Sequence, residues 1–183
     1  MILQYYPIEV GKLYGGEYPG DRNPDVAKIR LRSLITLGIR TFVDLTAMAD
    51  RMTPYGNFLA ELEGETGAPL SRISLPIADM GIPEIGGTIQ TILKSIRDSS
   101  SNAPAVYVHC WGGIGRTGTV VGCWLRECGY DPESALAYVQ HLYASHMPKV
   151  RIHPESPQTP AQKDYIRNWK ADHIPMIQDT IAK

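Results

Sequence analysis

A continuous apolar run, Ala105-Val106-Tyr107-Val108-His109, leads into a glycine-rich turn and then into a second apolar stretch, Thr117 to Glu127. No other feature limits the possible folds as strongly. An unbroken apolar run of this length reads as a central strand of a parallel sheet, covered on both faces. A sheet covered on both faces needs helices above and below it. The rest of the chain supplies them. Asn23-Pro24-Asp25 is a helix start, with Asn as cap and Pro at the first helical position. Val26, Ile29, Leu34 and Leu37 follow as a helical stripe, and Gly38 stops it. Thr41–Leu45 and Leu70–Leu75 read as further strands. Tyr55 to Leu62 reads as a helix, and Ile85, Ile89, Ile92, Leu93 and Ile96 form another helical stripe. Asp131-Pro132 opens a helix running to about His146, and Thr159-Pro160 opens the last one. Pro148 to Pro160 reads as a Pro-rich surface loop. The expected fold is a single α/β domain over residues 1–183, with a mainly parallel sheet of about four or five strands flanked by helices.

Composition narrows the function classes. The net charge of −1 argues against a surface built for nucleic acid or an anionic membrane. No apolar run approaches the roughly 18–20 residues that span a bilayer. The first residues, Met1-Ile2-Leu3-Gln4-Tyr5-Tyr6-Pro7, lack the basic and apolar regions of a signal peptide. The three cysteines, Cys110, Cys123 and Cys128, are too few for a disulfide framework and lack zinc spacing. A reducing, cytoplasmic compartment is the expectation. His141, His146, His153 and His173 show no metal-binding pattern. Nothing in the sequence sets an oligomeric state.

The glycine-rich turn carries the chemistry. It reads His109-Cys110-Trp111-Gly112-Gly113-Ile114-Gly115-Arg116-Thr117. Amides at a helix N-terminus converge on one point, and the helix dipole favours an anion there. The glycines let the backbone approach a ligand closely. A field that binds phosphate also stabilises a thiolate, which makes Cys110 a nucleophile. Arg116 offers a planar fork for two phosphate oxygens. Thr117 can donate a hydrogen bond to the cysteine sulfur, and His109 can order the loop from behind.

This His-Cys-x5-Arg-Thr string resembles the signature of the cysteine-dependent protein tyrosine phosphatases, including their dual-specificity branch. The loop Cys-Trp-Gly-Gly-Ile-Gly-Arg-Thr is similar to that of members acting on cyclin-dependent kinases and of small bacterial members. The resemblance runs from about Gly11 to Trp169 and implies a catalytic core over about 11–170. It implies a general acid some thirty residues before the cysteine. Asp79 lies 31 residues before Cys110, in Leu75-Pro76-Ile77-Ala78-Asp79-Met80-Gly81-Ile82-Pro83. It also implies glutamines that orient a hydrolytic water, matched by Gln158 and Gln162 in Gln158-Thr159-Pro160-Ala161-Gln162.

Trp111, Gly112, Gly113, Ile114, Gly115 and Arg116 would hold the phosphate. Cys110, Arg116, Asp79, Thr117, Gln162 and Gln158 would act in catalysis, with no metal and no cofactor. Three residues keep two readings each. Asp44 faces a ligand or caps a turn, Arg151 braces a loop or is solvated, and Tyr55 fences substrate or packs. Cys123 reads as a packing residue.

The implied activity is hydrolysis of phosphotyrosine in a phosphoprotein or peptide, possible for phosphoserine and phosphothreonine too. No stable membrane association is implied. The loop between Cys110 and Arg116 has no Lys or Arg, whereas relatives that prefer highly charged phosphoinositides often carry them there, so the resemblance implies phosphoprotein over inositol lipid. No tyrosine-containing loop is present to deepen the pocket. Three alternatives stay open: an inositol-phosphate or phosphoinositide phosphatase on the same fold, a non-catalytic phosphopeptide-binding module, and a thiol redox enzyme or arsenate reductase.

Overall fold

The strand Ala105–His109 (β5) lies at the centre of a five-stranded sheet ordered β1-β2-β5-β3-β4. The computed structural model describes residues 2–84, 87–100 and 104–171. Ile85 and His173 lie outside them. The other strands are β1 (Tyr5–Glu9), β2 (Leu13–Gly16), β3 (Ile39–Asp44) and β4 (Ser71–Ser74). β5 runs parallel to both β2 and β3, and β3 is parallel to β4. Among the described residues only the β1–β2 pair is antiparallel.

Every residue of β5 is buried, and successive side chains enter opposite layers. Val106 and Val108 join one core, and Ala105 and Tyr107 join the other. The second core is closed by α1 (Pro24–Thr36) and α2 (Gly56–Thr66), through Leu31, Leu34, Leu59 and Leu62. The first lies under α3 (Thr88–Ser100), α4 (Gly115–Glu127), α5 (Pro132–His146) and α6 (Pro160–Arg167). Ile89, Ile92, Leu93 and Ile96 carry the α3 stripe into that core. α4 is buried along almost its whole length, as expected of a central helix.

The helix starts follow local chemistry. The Asn23 side chain accepts from the Asp25 and Val26 amides, and the Asp131 side chain from Glu133 and Ser134. Thr159 and Gln162 form a reciprocal capping box at α6.

One pair of strands is not foreseen in the sequence, and one expectation needs correction. The hairpin β1–β2 reads as neither strand in sequence, because Pro7 and the pair Gly15-Gly16 are poor strand formers. The glycines are needed for close packing. A Cβ at Gly15 would stand 2.8 Å from the Tyr6 ring, and one at Gly16 would collide with the Tyr107 hydroxyl. The segment from Pro148 to Pro160 is more than a surface loop. It begins with a 3₁₀ turn, Pro148–Arg151, and buries Ser156 against the glycine-rich turn.

Candidate active site

Cys110 follows the last residue of β5, and α4 begins five residues later at Gly115. The turn between them thus sits at the carboxyl edge of the sheet, where α/β folds place ligands. The first turn of α4 leaves its amides without intrahelical partners. Cys110 is only 3% exposed.

Three neighbouring residues hold the turn in shape. The Tyr18 amide donates to the Trp111 carbonyl at 3.0 Å. Lys149 Nζ donates to the Gly112 carbonyl at 3.0 Å, and Ser156 Oγ to the Ile114 carbonyl at 2.9 Å. Gly113 has φ +72°, and a Cβ there would stand 2.7 Å from the Glu17 amide nitrogen. Only glycine tolerates both the backbone angle and that approach.

Arg116 is buried, and both of its terminal nitrogens are engaged. Nη1 donates to Asp50 Oδ2 at 2.6 Å and to the Ile77 carbonyl at 3.1 Å. Nη2 lies 3.3 Å from Asp50 Oδ1 and 2.9 Å from Asp79 Oδ1. Two carboxylates therefore share one guanidinium, but their settings differ. The Asp50 side chain is 3% exposed, whereas that of Asp79 is 52% exposed. Asp50 is a fixed anchor, and Asp79 reaches Arg116 from a solvent-facing turn. That turn is closed by the Gly81 amide on the Ala78 carbonyl, with Met80 at φ +56°.

Gln162 ties this turn to the other side of the site. Its Nε2 donates to the Gly81 carbonyl at 2.9 Å, and its Oε1 accepts from the amides of Gln158 and Thr159. Gln158 lies alongside. A Cβ on Gly115 would meet Gln158 Oε1 at 2.8 Å and Gln162 Nε2 at 2.9 Å. The structure thus brings both glutamines to the first residue of α4. Gln162 is already committed to backbone partners.

Behind the turn, His109 is completely buried. Its Nε2 faces the Tyr55 hydroxyl at 2.8 Å, and Nδ1 lies 3.9 Å from Asp44. Burial drives the imidazole pKa down to about 4, despite the opposing pull of Asp44. Burial pushes the Asp44 carboxyl up, but His109, two bonds from Thr46 and one from Arg72 hold it below the ordinary range. Asp44 caps the following turn through the Thr46 amide at 2.8 Å. Tyr55 is buried between Tyr18, Phe42 and His109 and so packs; it does not fence substrate.

Other expectations fare differently. The Thr117 hydroxyl is buried and has no hydrogen-bond partner among the described residues, so the expected bond to the cysteine sulfur is not formed. Arg151 is exposed, and the brace expected of it comes from Lys149. Cys123 is fully buried with its thiol pKa pushed well up by burial, and burial first, then Glu9 and Glu127, raises that of Cys128 to about 12. Both thiols stay protonated at neutral pH. Asp50 and Lys149 had no motif to mark them. The one available signal for Asp50 was an acidic residue just beyond the carboxyl end of β3.

Residues 21–165 match PTP-SAK, described as the DSP-PTPase phosphatase domain of Swiss Army Knife proteins. The chain belongs to this family. The PTP-SAK domain is similar to the 067L protein of Invertebrate iridescent virus 3, which is named for the tyrosine phosphatases. They are 29% identical over 147 residues, covering 76% of this chain and 57% of the viral protein. The chain spans about half the length of the curated relatives it matches.

Solved structures share the fold. Tk-PTP in its active form superposes with a TM-score of 0.66 at 24% identity, covering 91% of this chain and 96% of that one. Kinase associated phosphatase, with its catalytic cysteine replaced by serine, gives a TM-score of 0.63 at 21% identity, covering 90% of each chain. PTPMT1 in complex with PI(5)P gives 0.62 at 16% identity, covering 90% of this chain and 92% of that one. By its family description the PTP-SAK domain is a DSP-PTPase phosphatase domain. Among its described residues, no helix is long and apolar enough to cross a membrane.

Proposed function

We propose that this domain hydrolyses phosphotyrosine esters in proteins or peptides through a phosphocysteine intermediate, with phosphoserine and phosphothreonine as further substrates. The observation that carries the reading is Arg116. It lies six residues past Cys110 on the first turn of α4 and is clamped from one side by Asp50 and touched from the other by Asp79.

The arriving phosphate takes the Arg116 fork from Asp79, and the loop amides hold its remaining oxygens. That exchange leaves the Asp79 carboxyl beside the leaving oxygen. The Cys110 thiolate attacks phosphorus in line. A sulfur–phosphorus bond forms, the phosphorus–oxygen ester bond breaks, and Asp79 gives its proton to the departing phenol or alcohol. In the second step water attacks phosphorus, Asp79 takes its proton, and the thiolate leaves. The unpaired Thr117 hydroxyl is available to that thiolate. Gln158 is better placed than Gln162 to orient the water, because the Gln162 amide already bonds the acid turn and the α6 cap.

The rim favours an aromatic leaving group. Trp111, Met80 and Met48 are exposed apolar side chains on the three segments around Arg116. The one cation borrowed by the loop, Lys149, is already paired with Glu17 at 2.6 Å. The loop therefore gains little charge for a polyphosphate. The rival reading is an inositol-phosphate or phosphoinositide phosphatase, since PTPMT1 holds PI(5)P on this fold. A panel of phosphopeptides, soluble inositol phosphates and phosphoinositide vesicles separates the two. The proposal expects the phosphotyrosyl peptides to be hydrolysed with the highest kcat/KM. A large preference for inositol compounds would overturn it. Binding of phosphopeptide without hydrolysis would assign a non-catalytic module instead.

A further inference from the structure

A cleft of about 530 Å³ opens beside the glycine-rich turn, between the β2–α1 connection and the segment after β3. It shares Trp111 with the turn and Asp50 with the Arg116 anchor, so it adjoins the phosphate site directly. Charged residues of both signs line it, yet the acids are already spent. Glu17 pairs with Lys149, Asp50 with Arg116, and Asp21 with Arg30. Two arginines in the lining, Arg22 and Arg51, are exposed, and among the described residues neither side chain makes a hydrogen bond or an ion pair. The cleft therefore carries two uncompensated positive charges next to a site for a dianion. Tyr18, Met52 and Trp111 give the same cleft an apolar wall.

Taking the phosphotyrosyl reading as given, we propose that this cleft is a subsite for a second anionic group of the substrate, carried by a residue flanking the scissile phosphotyrosine. Arg22 and Arg51 would pair with an acidic or phosphorylated side chain, and Tyr18, Met52 and Trp111 would pack against the peptide between the two anions. The mixture of free guanidinium groups and apolar surface fits a peptide, whose side chains pack along the wall, better than an inositol ring with an oxygen on every carbon. Both arginines lie outside the Cys110–Arg116 loop. They thus supply the basic recognition that the loop sequence lacks.

The test compares phosphotyrosyl peptides that differ only in flanking residues, glutamate in one and glutamine in the other, with an otherwise matched doubly phosphorylated peptide as a third arm. The enzymes are wild type, Arg22→Gln, Arg51→Gln and the double variant, each assayed for kcat/KM at low and high salt. Wild type is expected to favour the glutamate peptide by about fivefold at low salt, and the doubly phosphorylated one by more. The ratio should shrink in each single variant and fall below about twofold in the double variant. Because Arg51 adjoins Asp50, Arg22→Gln alone keeps the test valid if the Arg51 variants misfold. An unchanged preference in Arg22→Gln and the double variant would overturn the subsite. Soluble inositol bisphosphate forms a fourth arm. Loss confined to that arm would overturn the peptide assignment. If wild type hydrolyses aryl phosphate but no phosphotyrosyl peptide, the proposed function fails. A preference-free hydrolysis of all peptides defeats only the subsite.

Discussion

Asp79 and Asp50 share Arg116 but should respond oppositely to loss of charge. Asp79→Asn removes the proton donor and also frees the arginine of a competing, half-exposed carboxylate. Turnover should fall by about a hundredfold or more, while vanadate binds at least as tightly as to wild type. Steady-state kinetics with vanadate titration checks this, and a parallel loss of vanadate affinity would make Asp79 structural. Asp50→Asn breaks a buried ion pair and leaves Arg116 under-compensated. It should lower stability by about 3 kcal/mol in urea unfolding and weaken vanadate binding. A variant with unchanged vanadate affinity would show that Asp50 does not position Arg116. The contrast explains what was readable at this scale. Cys110, Arg116 and Thr117 are neighbours in sequence and form one string, and Asp79 follows at a family spacing. Asp50 and Lys149 reach the loop from other elements, so only the folded chain reveals them.

The glycine-rich turn depends on elements far from it in sequence. Gly113→Ala should cost about 1 kcal/mol for its backbone angle alone, and more from the collision with the chain after β2. Thermal unfolding should show the loss, and anion binding should fall with it. A stable variant with normal vanadate affinity would mean that the turn relaxes at no cost. Thr159→Ala should remove about 1 kcal/mol by deleting the α6 cap. It also frees Gln162 from its box. Helices with such caps were legible because Asn23-Pro24, Asp131-Pro132 and Thr159-Pro160 act within one turn of backbone. β5 and β3 were legible from their apolar content. The β1–β2 hairpin was not, because its glycines serve the rings of Tyr6 and Tyr107, and that contact is tertiary.

At the scale of the whole molecule, one buried imidazole ties the sheet edge to the acid limit of stability. His109 is neutral in the fold, with its pKa near 4 against an ordinary 6.5. The unfolded chain takes up this proton near pH 6.5, and the folded chain only near 4. Stability is therefore complete above pH 6.5 and is lost as the pH falls toward 4, by up to about 3 kcal/mol from this group. Urea midpoints measured from pH 7.5 to 4 should fall through this window. His109→Gln should flatten the slope there, and an unchanged slope would exclude His109 as its source. The layered fold was legible as a whole, since its central strand and buried helix are continuous apolar runs. Substrate choice was not, because it rests on clefts and rims assembled from separate segments. The central claim is that Cys110 is the nucleophile, and phosphate release from a phosphotyrosyl peptide by wild type and Cys110→Ser, run side by side, tests it most directly. Wild type should turn over while the serine variant falls by more than about a thousandfold and still binds the peptide; equal rates for the two would contradict the account.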